Sequence, residues 1–220
     1  MTTEEKLKML ADEEFISEIG FSAQPDSPFE GLQRAVTLVV RLSDTVVDEI
    51  GDAPTKTYFH HYRTVNAYID RVAEKIVLLL CAEGYKAAAI PASQSVEGFS
   101  GLFSHKKCAV MAGLGSIGKS ALFISKRFGP RVRLGTVFTD APLPVQGHAY
   151  EDLCGSCHLC ADACGALAIK GVNYVPGMDR SELFDARACS EYMKREFQSI
   201  GRGAVCGVCM RVCPLGLKQP

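Results

Sequence analysis

Eight of the chain's ten cysteines fall in its last 67 residues, from Cys154 onward. The stretch "CGSCHLCADAC" spaces Cys154, Cys157, Cys160 and Cys164 as C-x2-C-x2-C-x3-C. That is the bacterial ferredoxin spacing for a [4Fe–4S] cluster, in which the fourth cysteine ligates the other cluster of a two-cluster protein. A second run, "CGVCMRVCP", supplies Cys206, Cys209 and Cys213, followed by Pro214. It is one cysteine short, and Cys189 in "DARACS" is the replacement. The count then closes for two cubane clusters. By the crossover rule Cys154, Cys157, Cys160 and Cys213 hold one, and Cys164, Cys189, Cys206 and Cys209 hold the other. Short x2 loops wrap three thiolates around one cube and turn backbone N–H groups toward its sulfurs. Pairing through the fourth ligands keeps the clusters close enough to pass electrons singly. Structural zinc is the competing reading, but zinc sites use two cysteine pairs and a long spacer, unlike four cysteines within eleven residues. Gly165 stands where the first motif usually has proline. His158, between ligands, is expected at the surface, and Cys81 and Cys108 are expected to be core thiols.

A second stretch, "GLGSIGKS" at 113–120, satisfies two incompatible patterns. Gly113, Gly115 and Gly118 spell the dinucleotide-binding G-x-G-x-x-G, while Gly113 through Ser120 spell the phosphate loop G-x-x-x-x-G-K-[ST]. A phosphate-loop hydrolase needs an acidic metal ligand on a later strand, and Asp140 ends the very next one. A dinucleotide fold wants an acid about 20 residues on, and Asp140 is 27 past Gly113. The third alternative is a tight turn with close packing of helix on strand.

These groups must be positioned by ordinary globular elements. At 220 residues with 47% hydrophobic and 22% charged content, the chain suits one domain and a smaller one. The cysteine shift places the boundary near 150: an α/β cofactor-binding domain over 1–148 and a ferredoxin-like domain over 149–220, with "APLPVQGH" (141–148) as linker. The net charge of −1 provides no basic field for nucleic acid or anionic membrane. The acidic, amphipathic N-terminus lacks a signal-peptide core, and "IVLLLCA" is too short to span a bilayer, so the expectation is a cytoplasmic protein.

Hydrophobic periodicity predicts a helix over 3–19, a strand over 34–42, and a long helix over 58–83 that is closed by Gly84. "KAAAIPA" predicts a strand ended by Pro91. "CAVMAG" (108–113) reads as a strand running into the glycine loop, 117–127 as a helix, and 131–140 as a further strand. Strand, glycine loop, helix and strand make an α/β unit.

"AGLGSIGKSALFISKRFGPRVRLGTVFTDAPL" (112–143), followed by "CGSCHLCADAC" and closing with "CGVCMRVCP", resembles the epoxyqueuosine reductase and reductive dehalogenase superfamily. The resemblance covers most of 34–217. It implies a nitroreductase-like α/β domain that binds a corrinoid (cobalamin), followed by a bacterial-ferredoxin-like domain with two [4Fe–4S] clusters. The glycine loop then cradles the corrinoid: Gly113, Leu114, Gly115 and Gly118 bring backbone N–H groups to its periphery, and Lys119 and Ser120 meet its phosphate or amides. The family's proton-donating aspartate precedes a proline upstream of this loop. Here that neighbourhood reads "AAAIPASQSVEG", placing Ser93 and Gln94 by the cofactor with no acid until Glu97. "YFHHYR" leads into the long helix where the family's cleft is bordered, making Tyr58, His60, His61 and Tyr62 candidate proton donors. Adjacent helical positions cannot all face one site. The family's helical extension, which holds tRNA, has no counterpart before Pro220. This argues for a small-molecule or corrinoid-protein partner and against nucleic acid. The expected function is single-electron transfer from a low-potential donor through two clusters to a corrinoid, bound or carried by a partner. Flavin-dependent reduction and electron transfer without an organic cofactor are the alternatives.

Overall fold

The computed structural model describes residues 1–94, 99, 101–145, 149–201 and 205–217. Glu97 and the end of the 141–148 segment lie outside them. From the N-terminus the elements are α1 (Thr3–Glu13), β1 (Glu18–Ala23), β2 (Arg34–Arg41), α2 (Asp44–Asp48), α3 (Lys56–Ala82), β3 (Ala87–Ile90) and α4 (His105–Met111). They continue as β4 (Gly115–Ile117), β5 (Phe123–Ser125), β6 (Val132–Thr139), α5 (Leu159–Asp162), α6 (Arg180–Leu183), α7 (Ala186–Phe197) and α8 (Val208–Arg211). This mixed α/β chain divides into two compact units. One comprises 1–41, 64–114 and 133–149, and the other 42–63, 115–132 and 150–220.

The first unit is built on a four-stranded sheet of order β1-β2-β6-β3, with β1 antiparallel to β2 and β3 antiparallel to β6. Six consecutive residues of β2 are buried, because both sheet faces are covered. On one face Leu38 and Ile69 of α3 meet over Gly135, where a Cβ would lie 2.4 Å from the Ile69 methyl. On the other, Ala35 joins Leu32, Ile90, Phe138 and Cys108 of α4 in a core cluster. Residues 35 and 38 differ in parity, so they point to opposite faces. Gly84, at φ +87°, closes α3, and the Tyr85 N–H reaches back to the Leu80 carbonyl.

Four sequence expectations are corrected here. The N-terminal helix ends at Glu13 rather than 19, and Ile19 lies on β1. The left-handed stop residue is Phe15 (φ +50°), which carries no glycine signal. Residues 108–113 do not form a strand. Cys108, Ala109 and Ala112 are buried at the i, i+1, i+4 spacing of a helix face, and a short apolar run has no periodicity to separate the two cases. Residues 117–127 form no helix, because Gly118 and Ala121 (φ +56°) turn the chain into the β4–β5 hairpin. The local order is therefore helix, glycine loop, hairpin, strand. Lastly, Cys81 is exposed, while Cys108 is buried as expected.

The second unit contains the β4–β5 hairpin, α2 and the cysteine segments. In it α5 packs on α8 and α2 on α8. Arg131, 1% exposed, binds Asp44 at 3.0 Å and Asp48 at 2.8 Å. No described helix is long and apolar enough to cross a membrane.

Candidate functional site

The two cysteine runs fold alike. Short helix α5 carries Cys160 and short helix α8 carries Cys209, each opening two residues after the preceding cysteine of its run. At the start of α8, Gly207 sits at φ +90°, and a Cβ there would lie 2.9 Å from the Tyr58 ring.

The thiols fall into two electrostatic neighbourhoods. Cys160 feels Cys154, Cys213 and Cys157, and Cys213 feels Cys154 and Cys157. Cys189 feels Cys206 and Cys164, and Cys209 feels Cys206, Cys189, Cys160 and Cys164. These are the quartets that the crossover rule assigns, and Cys160 and Cys209 are the neighbours that link them. Burial, then mutual repulsion of the ionised sulfurs, pushes Cys160 and Cys189 up to about 11 and Cys209 higher still. Such groups become thiolates only when a bound cation removes their protons, which is what metal ligation does.

Among the described residues no three His, Cys, Asp or Glu side chains converge to hold a single ion. The second quartet instead lines a cavity of about 450 Å³ whose wall includes Gly165, Leu167, Phe184 and Tyr192. A zinc site draws its sulfurs to about 2.3 Å from one point, whereas a cube needs them spread around a volume. Backbone donors are also in place, as the Ala168 N–H lies 3.4 Å from the Cys164 sulfur. N–H groups of Leu215 and Gly216 act on Cys213, and that of Val208 on Cys206. The thiol sets thus fit two iron–sulfur cubes. Gly165 is explained as well, since a Cβ there would lie 2.3 Å from the Tyr192 hydroxyl.

The glycine loop divides at the boundary between the units. Gly113 (φ +74°) and Leu114 belong to the first, and Gly115, Gly118, Lys119 and Ser120 to the second. In the second unit the loop packs on the first cysteine run. A Cβ on Gly118 would lie 3.2 Å from the Cys154 sulfur, and one on Gly115 2.0 Å from the Ile124 carbonyl oxygen. Lys119 and Ser120 are buried, and Lys119 donates to the Cys157 carbonyl at 2.9 Å. Tyr150 donates to the Ile117 carbonyl at 3.2 Å, and burial lifts its phenol to about 12.

The four proton-donor candidates separate as a helix requires. Tyr58 is buried and its ring lies 6.0 Å from that of Tyr62, one turn on. His60 is exposed beside Phe59. His61 accepts the Ser43 N–H at its Nε2, and burial lowers its pKa. In the first unit Ser93 is exposed, while Gln94 is occupied: its amide accepts the Phe103 N–H at 3.1 Å and donates to the Phe103 carbonyl at 3.2 Å. Sequence reasoning missed the roles of two buried cations, Arg131 and Lys119. Nothing in their sequence neighbourhood names their partners.

Comparison with known proteins agrees with this geometry in two steps. The family model of the 4Fe-4S double cluster binding domain matches residues 153–216, so the chain carries a two-cluster iron–sulfur domain. Its homologues are epoxyqueuosine reductases and reductive dehalogenases. The epoxyqueuosine reductase of Pseudomonas aeruginosa is 29% identical over 181 residues, covering 78% of this chain and 47% of that protein. The tetrachloroethene reductive dehalogenase of Dehalobacter restrictus is 41% identical over 101 residues, 44% of this chain and 17% of that one. The chain therefore spans about half of one relative and less of the other. Among solved structures, the catabolic reductive dehalogenase NpRdhA superposes with a TM-score of 0.74 at 19% identity, covering 97% of this chain and 32% of that one. A selenomethionine-labelled epoxyqueuosine reductase superposes with a TM-score of 0.64 at 20% identity, covering 98% and 66%. At these identities the superpositions establish a shared fold.

Proposed function

We propose that this chain is an iron–sulfur redox protein that takes single electrons from a low-potential donor and delivers them to a corrinoid. The corrinoid is either its own cofactor in a small-molecule reduction or that of a partner protein. In this reading residues 1–148 form a nitroreductase-like cofactor domain and 149–220 a ferredoxin-like one. The observation that carries it is the sorting of eight thiols into two quartets joined through Cys160 and Cys209. Clusters bound there supply one-electron chemistry at low potential. The chain's own contribution is to bury the thiols, aim N–H groups at their sulfurs, and keep the quartets adjacent.

The corrinoid rests on the homologues. One structural neighbour, with a TM-score of 0.74, is described as bearing on B12-dependent dehalogenation. In this reading the corrinoid periphery is met by Ser93, Gln94 and residues 113–118 of the glycine loop, Lys119 being committed to the Cys157 carbonyl, and protons come from Tyr58, His60, His61 or Tyr62. Nucleic acid is not the proposed partner, given a net charge of −1.

The test is anaerobic reconstitution followed by cobalamin titration before and after chemical reduction. Iron near eight per chain, falling by about half in Cys209→Ala, together with a saturable corrinoid shift and a reduced-cobalt spectrum, is the expected result. Full iron with no corrinoid response refutes the acceptor. Retained flavin would move the assignment to a flavin reductase, and no cofactor at all to a plain electron carrier.

A further inference from the structure

Lys119 is 2% exposed, an unusual position for a lysine, which is almost never fully buried unless paired. Its ammonium donates to the Cys157 carbonyl at 2.9 Å and lies 3.4 Å from His158 Nε2. Both partners belong to the first cysteine run, and neither carries the negative charge that a buried cation requires. No carboxylate is paired with it among the described residues. The same residue's backbone N–H is hydrogen-bonded to the Cys154 thiol, and its positive charge also acts there. The nearest unmatched anionic chemistry is therefore the first thiol quartet once it holds a cluster. Asp152, whose carboxylate accepts the Cys154 N–H at 3.0 Å, is an acidic group just ahead of the same run, which itself contains Asp162. The second quartet differs: among the described residues its cavity wall includes Asp52 and Asp162 and no lysine or arginine, and the cation that acts on it, Arg180 on Cys189, lies outside that wall.

The hairpin explains how the lysine is held. Gly118 must lack a side chain because its neighbours are the Cys154 sulfur and Ile124. The Gly118 N–H bonds to the Leu122 carbonyl and the Ala121 N–H to the Gly118 carbonyl. Lys119 sits at the tip of this tight turn, so its N–H and its ammonium reach the same cysteine run from one residue.

We infer that Lys119 is a tuning and positioning residue for the first quartet, a fixed cation that favours the reduced, more negative state of a cluster held by Cys154, Cys157, Cys160 and Cys213. The inference rests on the two-cluster reading proposed above and adds to it an asymmetry: the two clusters have unequal potentials, and one lysine contributes much of the difference. Each reduction adds one electron from an external low-potential donor, and no bond is made or broken in the protein. Lys119 lowers the free energy of the reduced side by charge alone.

The experiment is an anaerobic redox titration of the reconstituted full chain with dithionite, followed by electron paramagnetic resonance, on the wild type, Lys119→Gln and Lys119→Arg. Glutamine retains a donor for the Cys157 carbonyl and removes the charge. The expected result is that one of the two midpoints falls in Lys119→Gln by about tenfold in the reduction equilibrium, ~59 mV for one electron. The other midpoint stays in place, and Lys119→Arg restores the first. Unchanged midpoints at full iron loading overturn the inference. Iron lost from Lys119→Gln but kept by Lys119→Arg supports it, because charge is then what the thiolates need. Iron lost from both variants shows a packing role only and overturns it. A wild type that does not bind near eight irons fails the two-cluster reading itself, whatever the variants do.

Discussion

Gly115→Ala tests whether the glycine spacing that first suggested a nucleotide loop is a packing requirement. Gly115 pairs with Ser125 across the β4–β5 hairpin, and an added Cβ would lie 2.0 Å from the Ile124 carbonyl oxygen and 2.8 Å from the Phe123 ring. Real Cβ atoms essentially never approach below 3.0 Å, so a backbone carbonyl in the paired strand must retreat by about 1 Å. A flexible side chain could yield at little cost, but a paired strand cannot. Overpacking of this kind costs about 1–3 kcal/mol. Losing one or two hairpin hydrogen bonds adds about 1 kcal/mol each, for a total near ~4 kcal/mol. For a chain of this size each kcal/mol shifts Tm by about 2–4 °C, so the variant should melt about 10 °C below the wild type. The assay is an anaerobic thermal melt followed by far-ultraviolet circular dichroism, with Gly51→Ala alongside. A Cβ on Gly51 meets nothing within 4 Å, and that variant should stay within about 1 kcal/mol of the wild type. A Gly115→Ala midpoint within about 2 °C of wild type would refute the packing account.

Two further outcomes follow from groups outside the cysteine quartets. Cys81 is exposed, whereas Cys108 is 0% exposed and pushed up to about 12, chiefly by burial. A thiol-reactive dye on the cluster-loaded protein should therefore label one site quickly. Cys81→Ser should abolish that phase, and a fast phase surviving the substitution would contradict the exposed position. His61 accepts the Ser43 N–H and is held below its ordinary pKa by burial. The unfolded chain then binds the extra proton more readily. The His61 contribution to stability is complete above the unfolded value of about 6.5 and is lost as pH falls toward the folded one. Tm should drop between about pH 7 and about pH 5, and His61→Gln, which can still accept the Ser43 N–H, should flatten that drop. Equal slopes in the two proteins would remove His61 as the cause.

What could be read from the sequence was whatever repeats on a regular period or a fixed count. The long amphipathic helix, the β-branched strand at 34–41 and the strand at 132–139 carried their period over enough residues to be recognised. The two-cluster domain could be read because ligand spacing is stoichiometric: eight thiols and two cubes leave no remainder. The failures were short and apolar. Residues 105–111 form two helical turns in which Cys108 and Ala109 are buried, and so short an apolar stretch offers the same composition as a strand. At 117–127 the propensity for helix lost to a turn with positive φ at Ala121, an alanine that advertises nothing. The glycine loop matched two textual patterns because close backbone approach always asks for glycine, whether the approaching atom belongs to a ligand or, as at Gly118, to a cysteine sulfur. The position of Lys119 depended on that turn and so could not be foreseen without it.

The quartets are also built from unequal lengths of chain. Three of the four thiols of the first come from Cys154–Cys160, whereas the second gathers Cys164, Cys189 on the capped helix α7, and the Cys206–Cys209 pair. Closing a short loop costs little entropy, and closing several long ones costs more. Each quartet nonetheless needs a thiol from the far end of the domain: in this reading the first closes only when Cys213 returns across the more than 50 positions that separate it from Cys160, and the second only when Cys206 and Cys209 do. Neither cube is then complete before the C-terminal run is in place, so the last stretch of chain locks both together.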